Sequence, residues 1–205
     1  MCMENGNTNT PITLVAALGN HGNQYETTRH NIAWQMVRFL PFYDELEWKR
    51  KFNGEYASIV IDNRKIFFLK PHTYMNLSGQ SLVPMMQFFN IEIEQVLVIH
   101  DDLELDFGVL GFKGGGGLGG HNGLRSVAAA LGTRDFKRMR LGISRPPHSD
   151  ITSYVLGNFS PDERAVLPTF LEEASELLET CLTDDFDAMV KKYRKKDTIY
   201  REVEG

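Results

Sequence analysis

Cysteine is scarce in this chain. It has only Cys2, in a polar N-terminal tail, and Cys181, in a helical pattern near the C-terminus. A disulfide framework is therefore not expected, and a reducing, cytoplasmic setting is favoured. Cys-x-x-Cys is missing, and the histidines, His21, His30, His72, His100, His121 and His148, are scattered without the paired spacing of metal ligands. The expectation is therefore no metal and no cofactor. No serine stands in a Gly-x-Ser-x-Gly turn and neither cysteine neighbours a histidine, so covalent nucleophilic catalysis has little support. Long apolar runs are lacking too. Pro71–Ile91 contains no Asp, Glu, Lys or Arg, but its Pro, Asn, Gln, Ser and Gly exclude a membrane span. The N-terminus lacks a basic-then-apolar signal pattern. Residues 1–10 are expected to form a disordered tail, and residues 11–205 a single domain. There is no excess of positive charge to announce a nucleic-acid binder, because the formal net charge is −5.

What is present is an ordinary globular composition of 42% hydrophobic and 24% charged residues over 205 positions, enough for a full core. Basic residues gather locally at Lys49–Lys51, at Arg134–Arg145 and at Lys191–Lys196. Most such runs are solvated faces. Ile12–Leu18 reads as a buried strand ending in a Gly19-Asn20 turn. Thr27 or Thr28 caps a helix running to Leu40, with Ile32, Met36, Val37 and Leu40 inward and Pro41 as the stop. Tyr56–Ile61 and Lys65–Lys70 flank Asp62-Asn63 as a hairpin. Ser78–Phe89 has helical spacing, with Pro84 placed in its first turn or at a kink. Gln95–His100 and Val109–Phe112 read as strands, Gly123–Leu131 as a helix, and Lys137–Ile143 as a strand broken by Arg145-Pro146-Pro147. Pro161 opens a long helix to about Leu182, and Asp185–Lys196 reads as a last helix. This alternation predicts a single-domain α/β fold: a twisted mixed, largely parallel sheet with helices on both faces.

Glycine is concentrated in one place, Gly114-Gly115-Gly116-Gly117-Leu118-Gly119-Gly120, directly before His121-Asn122-Gly123. So many glycines cost backbone entropy and suggest close backbone approach or positive φ. The cluster contains a Gly-x-Gly-x-x-Gly, and Asp135 follows about 20 residues on, which invites a dinucleotide reading. That acidic residue precedes the next strand, whereas a ribose-binding acid belongs at that strand's end. A loop covering a substrate fits better. Polar sites in α/β sheets collect at the C-terminal ends of strands. Asn20 and Asp101 fall there, and His30 lies at a helix start. An imidazole can serve as a general base near neutral pH, a carboxylate on its other nitrogen would orient it, and the helix N-terminus would keep it neutral. Asn20, Asn76 and Asn122, each beside a turn, suit neutral hydrogen bonding to peptide and ribose groups. A bland reading stands beside each: capping for a lone histidine, a turn residue for a lone asparagine.

Leu18–Asn31, Lys70–Gly79, Val98–Asp101 followed by Asp102 and Glu104, Phe112–Leu124, Arg140–Ile143 and Tyr154–Asn158 occur in an order and spacing that resembles the bacterial peptidyl-tRNA hydrolase family, from about Thr13 to the last helix. The resemblance implies hydrolysis of the ester between a peptide and the tRNA 3′-terminal ribose, without cofactor or metal, by a cytoplasmic monomer. It implies His30 as the general base that activates water and Asp101 as the carboxylate that orients it. Asn20 matches the position that distinguishes a blocked from a free amino group. Asn76 and Asn122 match substrate-binding amides, and Tyr25 and Tyr74 match aromatic positions lining the site. Lys113 and Arg140 match a basic pair holding the tRNA 5′-phosphate, where an Arg contact positions RNA without reading sequence. The oxyanion donors stay open among Asn76, Asn122 and a glycine-loop N–H. Two positions depart from the family: His21 stands where relatives usually have proline, and Leu118 where a polar residue is often found. The competing reading is a catalytically silent RNA-binding protein on the same scaffold.

Overall fold

The computed structural model describes residues 10–146, 149–193 and 195–197. Cys2, His148 and nearly all of the expected N-terminal tail lie outside the described residues. In chain order the elements are β1 (Leu14–Ala17), α1 (Ile32–Val37), β2 (Lys49–Lys51), β3 (Gly54–Ile61), β4 (Arg64–Pro71), α2 (Gly79–Phe89), β5 (Val96–Asp102), β6 (Val109–Gly114), α3 (Asn122–Leu131), β7 (Lys137–Gly142), α4 (Ile151–Val155), α5 (Pro161–Thr183), α6 (Phe186–Lys192) and β8 (Lys196–Asp197). One sheet runs in the order β2-β3-β4-β1-β5-β7-β6-β8. Its centre, β4-β1-β5-β7, is parallel, and the strands outside it are antiparallel. β1 and the first part of β5 are continuous apolar runs because helices cover both their faces.

Two cores result. On one face α1, α5 and α6 pack over Val15, Ala17, Leu97, Ile99 and Leu141. On the other, α2 and α3 pack over Leu14, Ala16, Leu18, Val96 and Val98. α2 meets α3 so closely that a Cβ on Gly79 would stand 2.5 Å from the Ser126 carbonyl oxygen, so only glycine fits. α5 begins where the sequence signals it: Ser160 and Glu163 form a reciprocal capping box around Pro161 at the first turn. No helix among the described residues is long and apolar enough to cross a membrane.

Several elements differ from their expected form. The segment after Thr28 is a 3-10 turn, Arg29–Asn31, before α1 begins, and the Thr28 hydroxyl donates to the Tyr25 carbonyl instead of capping. Pro84 lies inside α2 on an exposed face, where water can satisfy the backbone carbonyl its ring leaves without a donor. Asp101 and Asp102 belong to β5 itself. The last helix is capped by Asp185 but ends at Lys192, because the Tyr193 carbonyl accepts from the Phe112 N–H and draws the chain onto the edge of β6 as β8. β2 and α4 are elements beyond those expected from the sequence.

Candidate active site

Asp101 occupies the C-terminal end of β5, 3% exposed, and two imidazoles converge on it. His30 Nδ1 lies 2.8 Å from Oδ1 and 3.0 Å from Oδ2. His121 Nε2 lies 2.9 Å from Oδ1. His30 comes from the turn that leads into α1, and His121 from the start of α3. Those helices pack on opposite faces of the sheet, so one carboxylate links both layers. His121 Nδ1 accepts from the Gly123 and Leu124 N–H groups, capping α3. Its proton is therefore on Nε2, and it donates to Asp101. His30 donates to the same carboxylate through Nδ1, which leaves its Nε2 as the lone-pair nitrogen.

The electrostatics follow from this clamp. Burial alone would push the Asp101 carboxyl up, but His30 and His121 outweigh it and hold the group far below the usual carboxylate range. Burial works against a charged His30, yet the charge and hydrogen bond of Asp101 prevail and raise its pKa above the ordinary imidazole value. The expected neutralising influence of a helix start is thus overridden by a carboxylate 2.8 Å away. His100, fully buried behind them, is pushed down to about 3, first by burial and then by His121.

His30, Asp101 and His121 offer ligand atoms within 4.8 Å of one another, a cluster that sequence spacing concealed. The hydrogen bonds argue against a metal ion there, because His121 would have to surrender its cap or its Nε2 proton to ligate.

The amides are held with equal definition. Asn31, fully buried, accepts from the Asn20 N–H with its Oδ1 and donates to the Asn20 carbonyl with its Nδ2, at 2.8 and 2.9 Å. Asn20 Oδ1 accepts from the Met75 N–H at 2.8 Å, which turns Asn20 Nδ2 into the donor available for a ligand. Asn76 and Asn122 are exposed at the site's rim. Arg29 ties the His30 turn to α4 and α5: its guanidinium lies 4.3 Å from the Tyr154 ring and 2.6 Å from Glu163, and it donates to the Asn158 carbonyl.

A cavity of about 550 Å³ opens over these groups. Asn20, Tyr25, His30, Tyr74, Asn76, Asp101 and Asn122 all line it. Its apolar wall joins Leu118, from the glycine loop expected to cover a substrate, to Leu103, Ile151, Val155 and Leu156, which were not foreseen. The apolar spacing of Ile151, Val155 and Leu156 was the available signal. Lys113 and Arg140 lie outside the cavity, on neighbouring strands β6 and β7. Arg140 is held by Asp102, Nε to Oδ2 at 2.7 Å.

The glycine loop adopts positive φ at Gly115, Gly116, Gly119 and Gly120. Its base is fixed by buried Arg138, which donates to the Gly116 and Gly117 carbonyls at 3.0 and 2.7 Å. The dinucleotide reading fails on topology: β6 and β7, which flank this loop and α3, are antiparallel, whereas that fingerprint needs a parallel βαβ unit.

The sequence profile of the family described as peptidyl-tRNA hydrolase matches residues 14–200. The peptidyl-tRNA hydrolase of Listeria monocytogenes serovar 1/2a is 37% identical over 90% of this chain and 100% of its own length. That of Trichlorobacter lovleyi is 40% identical over 91% and 97%. The crystal structure of peptidyl-tRNA hydrolase from Acinetobacter baumannii superposes with a TM-score of 0.81 at 32% identity, covering 89% of this chain and 94% of that one.

Proposed function

The chain belongs to the peptidyl-tRNA hydrolase family and hydrolyses peptidyl-tRNA, and we propose that it does so with His30 as general base. The observation that carries this reading is the Asp101 carboxylate clamped to His30 Nδ1 on the wall of a cavity that also presents three amides. His30 Nε2 takes a proton from water as the water oxygen attacks the ester carbonyl. Asp101 holds the ring in the productive tautomer and stabilises the imidazolium that forms. The tetrahedral intermediate expels the ribose 3′-oxygen, which takes the proton back from His30. An ester has a better leaving group than an amide, so one activated water suffices.

Asn20 Nδ2 is the donor for the first peptide carbonyl, and Asn76 and Asn122 hold peptide and ribose groups. The developing oxyanion needs a donor at the same rim. Tyr25 and Tyr74 flank the tRNA end and the peptide. Lys113 and Arg140 hold the 5′-phosphate from outside the cavity. On this reading residues 11–205 act as one domain, a monomer working in the cytoplasm. Cys181 suits that setting: it is buried and free, and burial pushes its thiol up to about 12.

The test is release of tRNA from N-acetyl-aminoacyl-tRNA by the wild type and by His30→Ala, with free aminoacyl-tRNA as control. Cleavage of the blocked ester alone, reduced about 10²- to 10⁴-fold in the variant with tRNA binding retained, is expected. A variant that keeps the wild-type rate removes His30 from the base role.

A further inference from the structure

A second concavity, an open groove of about 600 Å³, lies on the far side of the Asn20 segment. Its walls include His21, Arg50, Lys51, His72, Thr73 and Gln80. The two spaces share the segments Asn20-His21 and Thr73-Tyr74. Asn20 and Tyr74 line the cavity, and their sequence neighbours His21 and Thr73 line the groove. The bond from the Met75 N–H to Asn20 Oδ1 ties these two segments together.

The groove has the marks of a built surface. The His21 and His72 rings are stacked, with centroids 4.2 Å apart and planes 21° apart. Thr73 Oγ1 is buried there without a hydrogen-bond partner, a group that gains from an incoming donor or acceptor. Lys51 Nζ rests 3.4 Å from the Phe88 ring, and Arg50 Nε stands 3.6 Å from Glu55. A run of cations on an edge strand such as β2 also discourages edge-to-edge pairing. That role accounts for the charges, and it leaves the imidazole stack and the orphaned hydroxyl unexplained.

Position indicates the occupant. In the sheet order, β1 and β5, which deliver Asn20 and Asp101, stand between β6–β7 with Lys113 and Arg140 on one side and β2–β4 with the groove on the other. A substrate whose RNA lies toward β6–β7 and whose ester sits at His30 sends its peptide past Asn20, toward His21. Among the described residues no Phe, Tyr or Trp lines the groove, and its two rings, His21 and His72, are already stacked on each other. Glu55, 3.4 Å from both His72 and Lys70, offsets part of the local positive charge. That balance suits an isolated carboxylate better than a run of phosphates.

We propose that this groove is a peptide subsite, taking residues of the peptide beyond the esterified one and favouring acidic side chains. The inference rests on the placement of ester and RNA given above.

The experiment compares kcat/KM for N-acetyl-tetrapeptidyl-tRNAs carrying Glu or Gln at the second, third or fourth residue from the ester, alongside N-acetyl-aminoacyl-tRNA. Wild type is set against the double variant Arg50→Gln/Lys51→Gln. The expected result is a Glu-to-Gln ratio of about three to five at one of these positions, falling to about one in the variant. Wild-type turnover of the short substrate with a ratio of one at every position overturns the subsite and leaves the hydrolase reading intact. A ratio that survives in the variant, with an equal fall on all substrates and weaker binding of deacylated tRNA, assigns the surface to RNA and overturns the proposal. No turnover of any substrate by the wild type overturns both readings.

Discussion

His30 and His72 each face a carboxylate, Asp101 at 2.8 Å and Glu55 at 3.4 Å, yet their affinities for a proton move in opposite directions. Burial lowers both. At His30 the carboxylate prevails and the pKa rises; at His72 burial prevails and it falls. The difference lies in how the carboxylate is shared and housed. Asp101 is buried and its hydrogen-bonding partners are imidazoles. Glu55 is divided among Lys70, His72 and Arg50 in a half-open setting. A strong dyad therefore needs a carboxylate with few other claims on it, as much as it needs proximity.

That contrast can be broken most forcefully at Asp101. Asp101→Asn removes the charge that raises His30 and leaves the burial that lowers it. We expect kcat to fall about 10²-fold or more and the acid limb of the pH–rate profile to move to lower pH. Steady-state kinetics on N-acetyl-aminoacyl-tRNA from pH 5 to 9 check this, and an unmoved limb would show that Asp101 does not set the His30 pKa.

His121 sharpens the comparison. His121→Asn keeps a residue able to cap α3 but withdraws the bond to Asp101, whereas His121→Ala loses both. We expect both variants to lose about fivefold to tenfold in kcat. We expect only the alanine variant to lose stability, by a Tm shift of about 2–4 °C. Equal melting temperatures for the two variants would remove the cap from the explanation.

The smallest effect is expected from cations outside either imidazole pair. Lys113→Ala or Arg140→Ala should raise KM with little change in kcat and reduce the slope of log affinity against log salt by about one. An unchanged salt slope in both would dismiss the phosphate clamp.

The parallel centre of the sheet and its helices were legible because buried strands and amphipathic helices leave strong periodic signals, as in Leu14–Ala17 and Ile32–Val37. β2 was not, since an exposed Lys-Arg-Lys edge carries no apolar pattern. The end of α6 was misjudged because a contact with a strand far away in sequence decided it. Among the candidate site residues, those attached to glycine turns and strand ends could be named from the chain alone. The carboxylate bond of His121, the backbone clamp of Asn31 on Asn20 and the anchoring of the glycine loop by Arg138 could not. Each depends on side-chain geometry between segments that sequence order keeps apart.

The His30–Asp101 bond also sets working conditions against durability. His30, with its raised pKa, favours the folded state fully below about 6.5, and that contribution is lost as pH rises through the raised value. The depressed carboxyl of Asp101 favours folding above about 3.8, and that contribution is lost as pH falls toward its lowered value. Water activation needs His30 neutral, which places it above the range where the protonated pair braces the fold. The dyad thus does its chemistry where the His30 share of that stability is lost and the Asp101 share remains, and the cores on either side of the sheet must carry the difference.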